Sequence, residues 1–195
     1  MSLNIRGMGE RYKIEWVRRL RNENKLCMIG IQESKLGEST PTLNVTDCWG
    51  DWEYGFEQVF TTGRSGGLVS IWDRKQFLVI ETIKSRYFIA VLGNFVGING
   101  LTGFLNVYGP KSEIDKSNVW AELLTLKSSK SATWIFIGDF NVVRRSEERI
   151  NSIFCMRSAN DFNHFICLSK LNDLKMGGQR FTYFQTRGAK LSKLD

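Results

Sequence analysis

Asp139 and Asn141 stand immediately after a short apolar run, in Gly138-Asp139-Phe140-Asn141 following Thr133–Ile137. The ends of strands are where a rigid scaffold presents polar groups. If the extended geometry continues for a few residues, Asp139 and Asn141 face the same side, being two apart. An acid and an amide held together can orient a water and hydrogen-bond a phosphoryl oxygen. The same residues also suit an Asx-type turn that closes a strand. Gln32-Glu33 repeats the arrangement after the apolar run Leu26–Ile31. One carboxylate at a strand end suits Mg²⁺, which takes oxygen ligands and keeps several waters; it equally suits an exposed glutamate opening a loop. Asn4 closes a short strand at the start of the chain, and Tyr108 closes another, in Asn106-Val107-Tyr108-Gly109-Pro110. Polar groups thus recur at the ends of separate strands.

Other chemistries find less support. Cys27, Cys48, Cys155 and Cys167 lie far apart with no C-x-x-C pair, which gives neither a disulfide framework nor a zinc site. His164 and Cys167 supply only two ligands, where zinc needs a cluster. No G-x-G-x-x-G or G-x-x-x-x-G-K-[ST] follows a strand, so neither common nucleotide-binding loop is expected. The net charge is +7, from 27 basic and 20 acidic residues. It is unevenly spread: residues 1–35 contribute +4, residues 145–195 contribute +4 and the middle −1. Basic ends suit a polyanionic partner, or simply a solvated basic surface. Met1–Gly7 has no apolar h-region, and no apolar run approaches the roughly 20 residues that cross a bilayer, so a soluble, intracellular, reduced protein is expected.

The elements that must position these residues follow from periodicity. Ser2–Ile5 reads as a short strand and Lys13–Glu23 as an amphipathic helix with Ile14, Val17 and Leu20 on one face. Leu26–Ile31 reads as a buried strand. Alternation at Trp52, Tyr54 and Phe56, then Gly67–Trp72, Phe77–Lys84, Phe88–Val96 and Leu101–Tyr108, predicts a strand-rich centre, with a hairpin turn at 97–100. A helix is expected over Ser117–Leu126, a strand over Thr133–Ile137, and a third helix capped by Ser158 in the Ser158-x-x-Asp161 form. Arg180–Gln185 and Leu191–Asp195 read as closing strands. Helices at both ends of a run of hairpins suggest two packed sheets with helices outside, in one domain covering residues 1–195.

In order along the chain, the motifs are Asn4-Ile5-Arg6-Gly7, Ile31-Gln32-Glu33-Ser34-Lys35, Ser65-Gly66-Gly67-Leu68, Asn106 to Pro110, Gly138 to Asn141, Phe181-Thr182-Tyr183 and Leu191 to Asp195. Together they resemble the endonuclease/exonuclease/phosphatase superfamily, the fold of DNase I and the apurinic-site endonucleases. The resemblance covers nearly the whole chain. It is closer still to the endonuclease domain of plant-type non-LTR (long interspersed element) retrotransposons, which Glu147-Glu148-Arg149 also matches.

The resemblance implies a four-layer α/β sandwich whose mainly antiparallel sheets carry a metal site at one edge. It implies Mg²⁺, with Mn²⁺ as substitute, held by Glu33 with Asn4 in the same cluster. It makes Asp139 the residue that orients or activates water, with Asn141 and Tyr108 at the phosphate. Asp195 matches the acid that orients a histidine, and Thr182, Lys193 and Arg6 fall at DNA-contacting positions. The implied activity is nicking of target DNA, as a nuclear monomer whose parent chain continues into a reverse transcriptase. Non-catalytic nucleic-acid binding and phosphatase activity are the alternatives. Two departures modify this. The terminal Ser-Asp-His motif is absent from these 195 residues, and His164 lies within a helix, so a truncated domain with impaired or absent cutting is expected. Arg6 stands where apurinic-type members carry an acid, which makes the site less anionic.

Overall fold

The computed structural model describes residues 1–37, 45–61, 63, 66–174, 181–185 and 189–194. They form two compact units, Met1–Tyr108 with Ala132–Asp139, and Gly109–Ser131 with Phe140–Asp195.

The first unit holds β1 (Ser2–Asn4), α1 (Arg11–Asn24), β2 (Met28–Gln32), α2 (Val45–Trp49), β3 (Tyr54–Val59), β4 (Leu68–Asp73), β5 (Phe77–Lys84), β6 (Phe88–Phe95) and β7 (Thr102–Tyr108). After α3 (Glu113–Ser129), which belongs to the second unit, β8 (Thr133–Asp139) completes it. Two four-stranded sheets result, ordered β1-β2-β4-β3 and β5-β6-β7-β8. The pairs β1–β2 and β7–β8 are parallel and the remaining pairs antiparallel.

Met28, Leu68 and Trp72 of one sheet pack with Phe77, Ile89, Val91, Phe104 and Tyr108 of the other. On the far side of the first sheet, Ile29, Ile31, Val69 and Ile71 pack with Val17 of α1 and Val45, Cys48 and Trp49 of α2. Every residue of β2 is consequently buried, which is why that strand reads as an unbroken apolar run rather than an alternating one. Gly30 lies on its inner face, where an added Cβ would stand 2.9 Å from Cγ of Asn106 and overlap the Ile137 side chain. The absent side chain is what lets the sheets approach at this point.

The second unit contains α3, β9 (Arg149–Ile150), α4 (Met156–Ser169), β10 (Tyr183–Gln185) and β11 (Lys190–Ser192), the three strands forming an antiparallel sheet ordered β10-β11-β9. Trp120 of α3 stacks among Phe140, Phe162 and Phe165, with ring centroids 5.0–6.2 Å apart. Ser112 caps α3 by accepting from the Asp115 amide. Burial works against ionisation of Glu113, yet hydrogen bonds from Ser158 and Lys116 hold its carboxyl below the usual range.

Two sequence expectations shift here. The third helix begins at Met156 with Cys155 as its N-cap, so Ser158 is not the cap. Its hydroxyl is committed to Glu113 instead, a tertiary partner that the local Ser-x-x-Asp spacing cannot reveal. Strands β10 and β11 overlap the two expected closing strands, whereas β9 and the short helix α2 were not foreseen. The two missed elements are two and five residues long, too short to establish a period. Among the described residues, no helix is long and apolar enough to cross a membrane. All four cysteines are free.

Candidate active site

Asn4, Glu33, Tyr108 and Asp139 all belong to the first unit, and its topology brings them to one place. In β1–β2 the parallel register sets Asn4 beside Gln32, and in β7–β8 it sets Tyr108 beside Asp139. Residues paired in register point to the same face, so Tyr108 and Asp139 share one face of their sheet and Asn4 and Gln32 share one face of theirs. Two hydrogen bonds then cross between the sheets. Asn4 Nδ2 donates to Asp139 Oδ2 at 2.7 Å, and the Tyr108 hydroxyl donates to Glu33 Oε1 at 2.7 Å. Asp139 is 7% exposed and Tyr108 8%. Both are therefore held rigidly, and charge-assisted bonds of this length are among the stronger protein hydrogen bonds.

Glu33 reaches this site through an unusual backbone. Gln32 and Glu33 are consecutive, so in an extended strand they would face opposite sides. Yet Gln32 bonds to Asn106 and Glu33 to Tyr108, both on the facing sheet. Glu33 achieves this by leaving the strand with φ 52°, the left-handed region that side chains other than Asn, Asp and Gly seldom adopt. Such strain costs on the order of 1–3 kcal/mol and clusters where function needs it.

A layer of buried polar groups that sequence reading did not assign lies directly behind. Gln32 Nε2 donates to Asn106 Oδ1 at 2.6 Å, and Gln32 Oε1 accepts from the Ser2 hydroxyl at 3.3 Å. Asn106 Nδ2 donates to the Val69 carbonyl at 3.0 Å and the Ser70 hydroxyl at 3.2 Å. Gln32, Asn106 and Ser70 are 1%, 0% and 1% exposed. Buried amides are tolerated only when satisfied, and a satisfied network specifies one register. The signal was present: Asn106 interrupts the apolar strand Phe104-Leu105-Asn106-Val107, two residues before Tyr108 and so on its face. Asn106→Ala is expected to remove the acceptor of one Gln32 N–H, which keeps only its bond to the Gly30 carbonyl at 3.2 Å, and to leave a cavity between the sheets, lowering stability by about 2–3 kcal/mol. Urea denaturation measures the loss, and one below about 0.5 kcal/mol would show the network to be incidental.

The other residues singled out from sequence sit as follows. Arg6 is exposed at φ 51°, and its amide donates to Asn4 Oδ1 at 3.2 Å. The extended geometry stops at Asp139: Asn141, in the second unit, has φ 52°, and its Nδ2 donates to the Gly109 carbonyl at 2.7 Å. Thr182 is exposed beside β10, and its hydroxyl accepts from the Leu194 amide at 3.1 Å. The Lys193 ammonium lies 3.8 Å from Asp173. Asp195 lies outside the described residues. His164 is exposed on α4. Glu148 accepts from the amides of Arg144 and Arg145 and so pins a turn. A cavity of about 620 Å³ in the second unit, lined by Arg144, Arg145, Asn163, Cys167 and Lys170, includes none of the four clustered residues.

The donor set can be tested against a cation. Among the described residues, no three His, Cys, Asp or Glu converge, which rules out a closed zinc-type cage there. Mg²⁺ asks for less: one or two carboxylates, with water and substrate phosphate completing the shell. Glu33 has one oxygen held by Tyr108, and among the described residues the other accepts no hydrogen bond. Asn4 has both ends of its amide engaged, at Arg6 and at Asp139. The all-oxygen set fits a hard cation at Glu33, with Asn4 serving as the clamp on Asp139.

Solved structures share this architecture. The endonuclease domain of TRAS1, a telomere-specific non-LTR retrotransposon, superposes with a TM-score of 0.70 at 14% identity, over 99% of this chain and 80% of that one. The fold is DNase I-like. The 3′ phosphatase NExo from Neisseria, bound to a product DNA hairpin, matches with a TM-score of 0.66 at 17% identity, over 98% of this chain and 85% of that one. AP endonuclease LMAP from Leishmania major gives 0.63 at 14% identity over 86% of this chain. The chain spans 65% of the length of LMAP, just under two thirds. No family model and no curated protein matches the sequence. At these identities the likeness establishes the DNase I-like fold, and the site has to be argued from its own residues.

Proposed function

We propose that the chain is a Mg²⁺-dependent phosphodiester hydrolase acting on DNA, of the kind found as the endonuclease domain of plant-type non-LTR retrotransposons. The observation that carries the reading is the pair of 2.7 Å bonds, Asn4 to Asp139 and Tyr108 to Glu33, which bring the polar ends of four strands together. The two units are read as parts of one domain, because the chain passes between them three times, at 108/109, 131/132 and 139/140. Superposition on a DNA-bound phosphatase and a retrotransposon endonuclease domain supports the substrate class. The net charge of +7 supports a polyanionic partner.

In this reading Glu33 holds the cation, which when bound offsets charge on the phosphoryl oxygens. Tyr108 fixes the orientation of Glu33 through Oε1. Asn4 fixes Asp139, whose carboxylate takes a proton from water as the water oxygen bonds to phosphorus and one P–O ester bond breaks, the departing strand oxygen taking a proton from solvent to leave as a hydroxyl. His164 is exposed on α4, so within these residues the proton transfer rests on Asp139. Asp139 as positioned general base is worth roughly 10²–10⁴ in rate, and nicking is expected to be slow because no histidine shares the proton transfer with it. Thr182, Lys193 and Arg6 are assigned to DNA contact, and Asn141 to the phosphate.

Supercoiled plasmid incubated with the purified chain tests this. The expected result is open-circular product in Mg²⁺ or Mn²⁺ and none in excess EDTA. Salt-sensitive DNA binding with no cation-dependent nicking would replace the reading with non-catalytic nucleic-acid binding.

A further inference from the structure

The loop that leaves β1 is gathered around an ammonium group. Lys13, in the first turn of α1, has a side chain only 18% exposed. Its Nζ donates to the carbonyls of Ile5 at 3.2 Å, Arg6 at 3.4 Å and Gly7 at 3.0 Å. An ammonium carries three N–H donors, and three successive carbonyls receive them. Turning consecutive carbonyls toward one point takes an unusual backbone, and Arg6 and Gly7 have φ 51° and 103°. Without a cation those carbonyl dipoles would repel one another. The nearest carboxylate, Glu10, is 3.9 Å away, so the ammonium is directed chiefly at the loop.

That loop connects both halves of the candidate site. The Arg6 amide donates to Asn4 Oδ1, and Asn4 Nδ2 in turn donates to Asp139. The Gly7 amide donates to the Glu33 carbonyl at 2.7 Å, and the Met8 amide to the Ser34 carbonyl at 2.9 Å. We propose that Lys13 is a positioning residue: its ammonium holds the Ile5–Gly7 carbonyls in place and thereby aims Asn4 at Asp139 and steadies the backbone at Glu33. The catalytic consequence rests on the hydrolase reading; the dependence of the loop on Lys13 does not.

The test uses the whole chain with Lys13→Ala, which keeps a good helix former in α1. Lys13→Gln, which retains two neutral donors, serves as the second variant. Amide hydrogen exchange is followed at Arg6, Gly7 and Met8, with β6 amides as the fold control, and plasmid nicking is measured as a function of DNA concentration. In Lys13→Ala, exchange at the three loop amides is expected to rise at least about tenfold while β6 is unchanged, as for a local opening. The turnover rate should fall about tenfold or more at nearly constant KM, the pattern for a group that acts in the transition state and not in substrate binding. Added propylammonium should recover part of that rate, and Lys13→Gln should lie between. Loop exchange equal to wild type, or exchange that rises uniformly across β6 as well, would overturn the proposal. A wild-type chain that nicks nothing would remove the hydrolase reading alone, and the exchange result would still decide the role of Lys13.

Discussion

Asp139→Asn is expected to lower Mg²⁺-dependent nicking by about 10³-fold while leaving the melting temperature nearly unchanged. The substitution keeps the size and shape of the side chain. Its carbonyl oxygen can take the position of Oδ2 and still accept from Asn4 Nδ2, so the bond at 2.7 Å survives. What is lost is the negative charge and the ability to take a proton from water. Asp139 closes β8 beside Tyr108 and is 7% exposed, so bulk water cannot substitute easily for the missing base. Single-turnover nicking followed on gels measures the ratio. Retention of more than about a tenth of the wild-type rate would take Asp139 out of the proton-transfer role, since such groups contribute at least about 10²-fold.

Gly138→Ala should be the most damaging single methyl addition near the site. Gly138 has φ 145°, and a Cβ there would overlap the Val107 carbonyl oxygen, part of the adjacent strand. The obstruction is backbone, which cannot swing aside as a side chain can. Either the β7–β8 register opens, separating Tyr108 from Asp139, or the strand bends. Positive-φ strain and overpacking each cost on the order of 1–3 kcal/mol, so a loss of about 3 kcal/mol or more is expected by urea denaturation. Gly97→Ala is the control: Gly97 has φ 79° with nothing within 4 Å of an added Cβ. It should cost only about 1 kcal/mol. Equal losses in the two variants would show that the overlap at Val107 is relieved by other means.

These positions show what was legible in the sequence and what was not. The long strands were: Phe77–Lys84 has its predicted bounds, and β4, β6, β7 and β8 lie within two residues of expectation, because apolar runs between turn residues define them. That Asn4, Glu33, Tyr108 and Asp139 end strands was also legible. How they pair was not, because it depends on which strands lie side by side and in which direction. Alternation even misleads at Glu33, where the left-handed backbone turns the carboxylate to the same side as Gln32. The Gln32–Asn106–Ser70 layer escaped for a related reason. Its bonds between different strands join residues 30 or more positions apart. Ser158 shows the opposite error, a local capping pattern overridden by a partner on another helix.

The central claim is that the cross-sheet pairs act as a single hydrolytic site, and a double-mutant cycle tests it most directly. Nicking rates in Mg²⁺ are compared for the wild-type chain, Glu33→Gln, Asp139→Asn and the double variant. If one site is disabled by either change, each single variant should lose about 10²-fold or more, and the double variant should fall no more than about threefold below the slower single one. Losses that multiply across the cycle, or nicking that survives both substitutions, would contradict the claim.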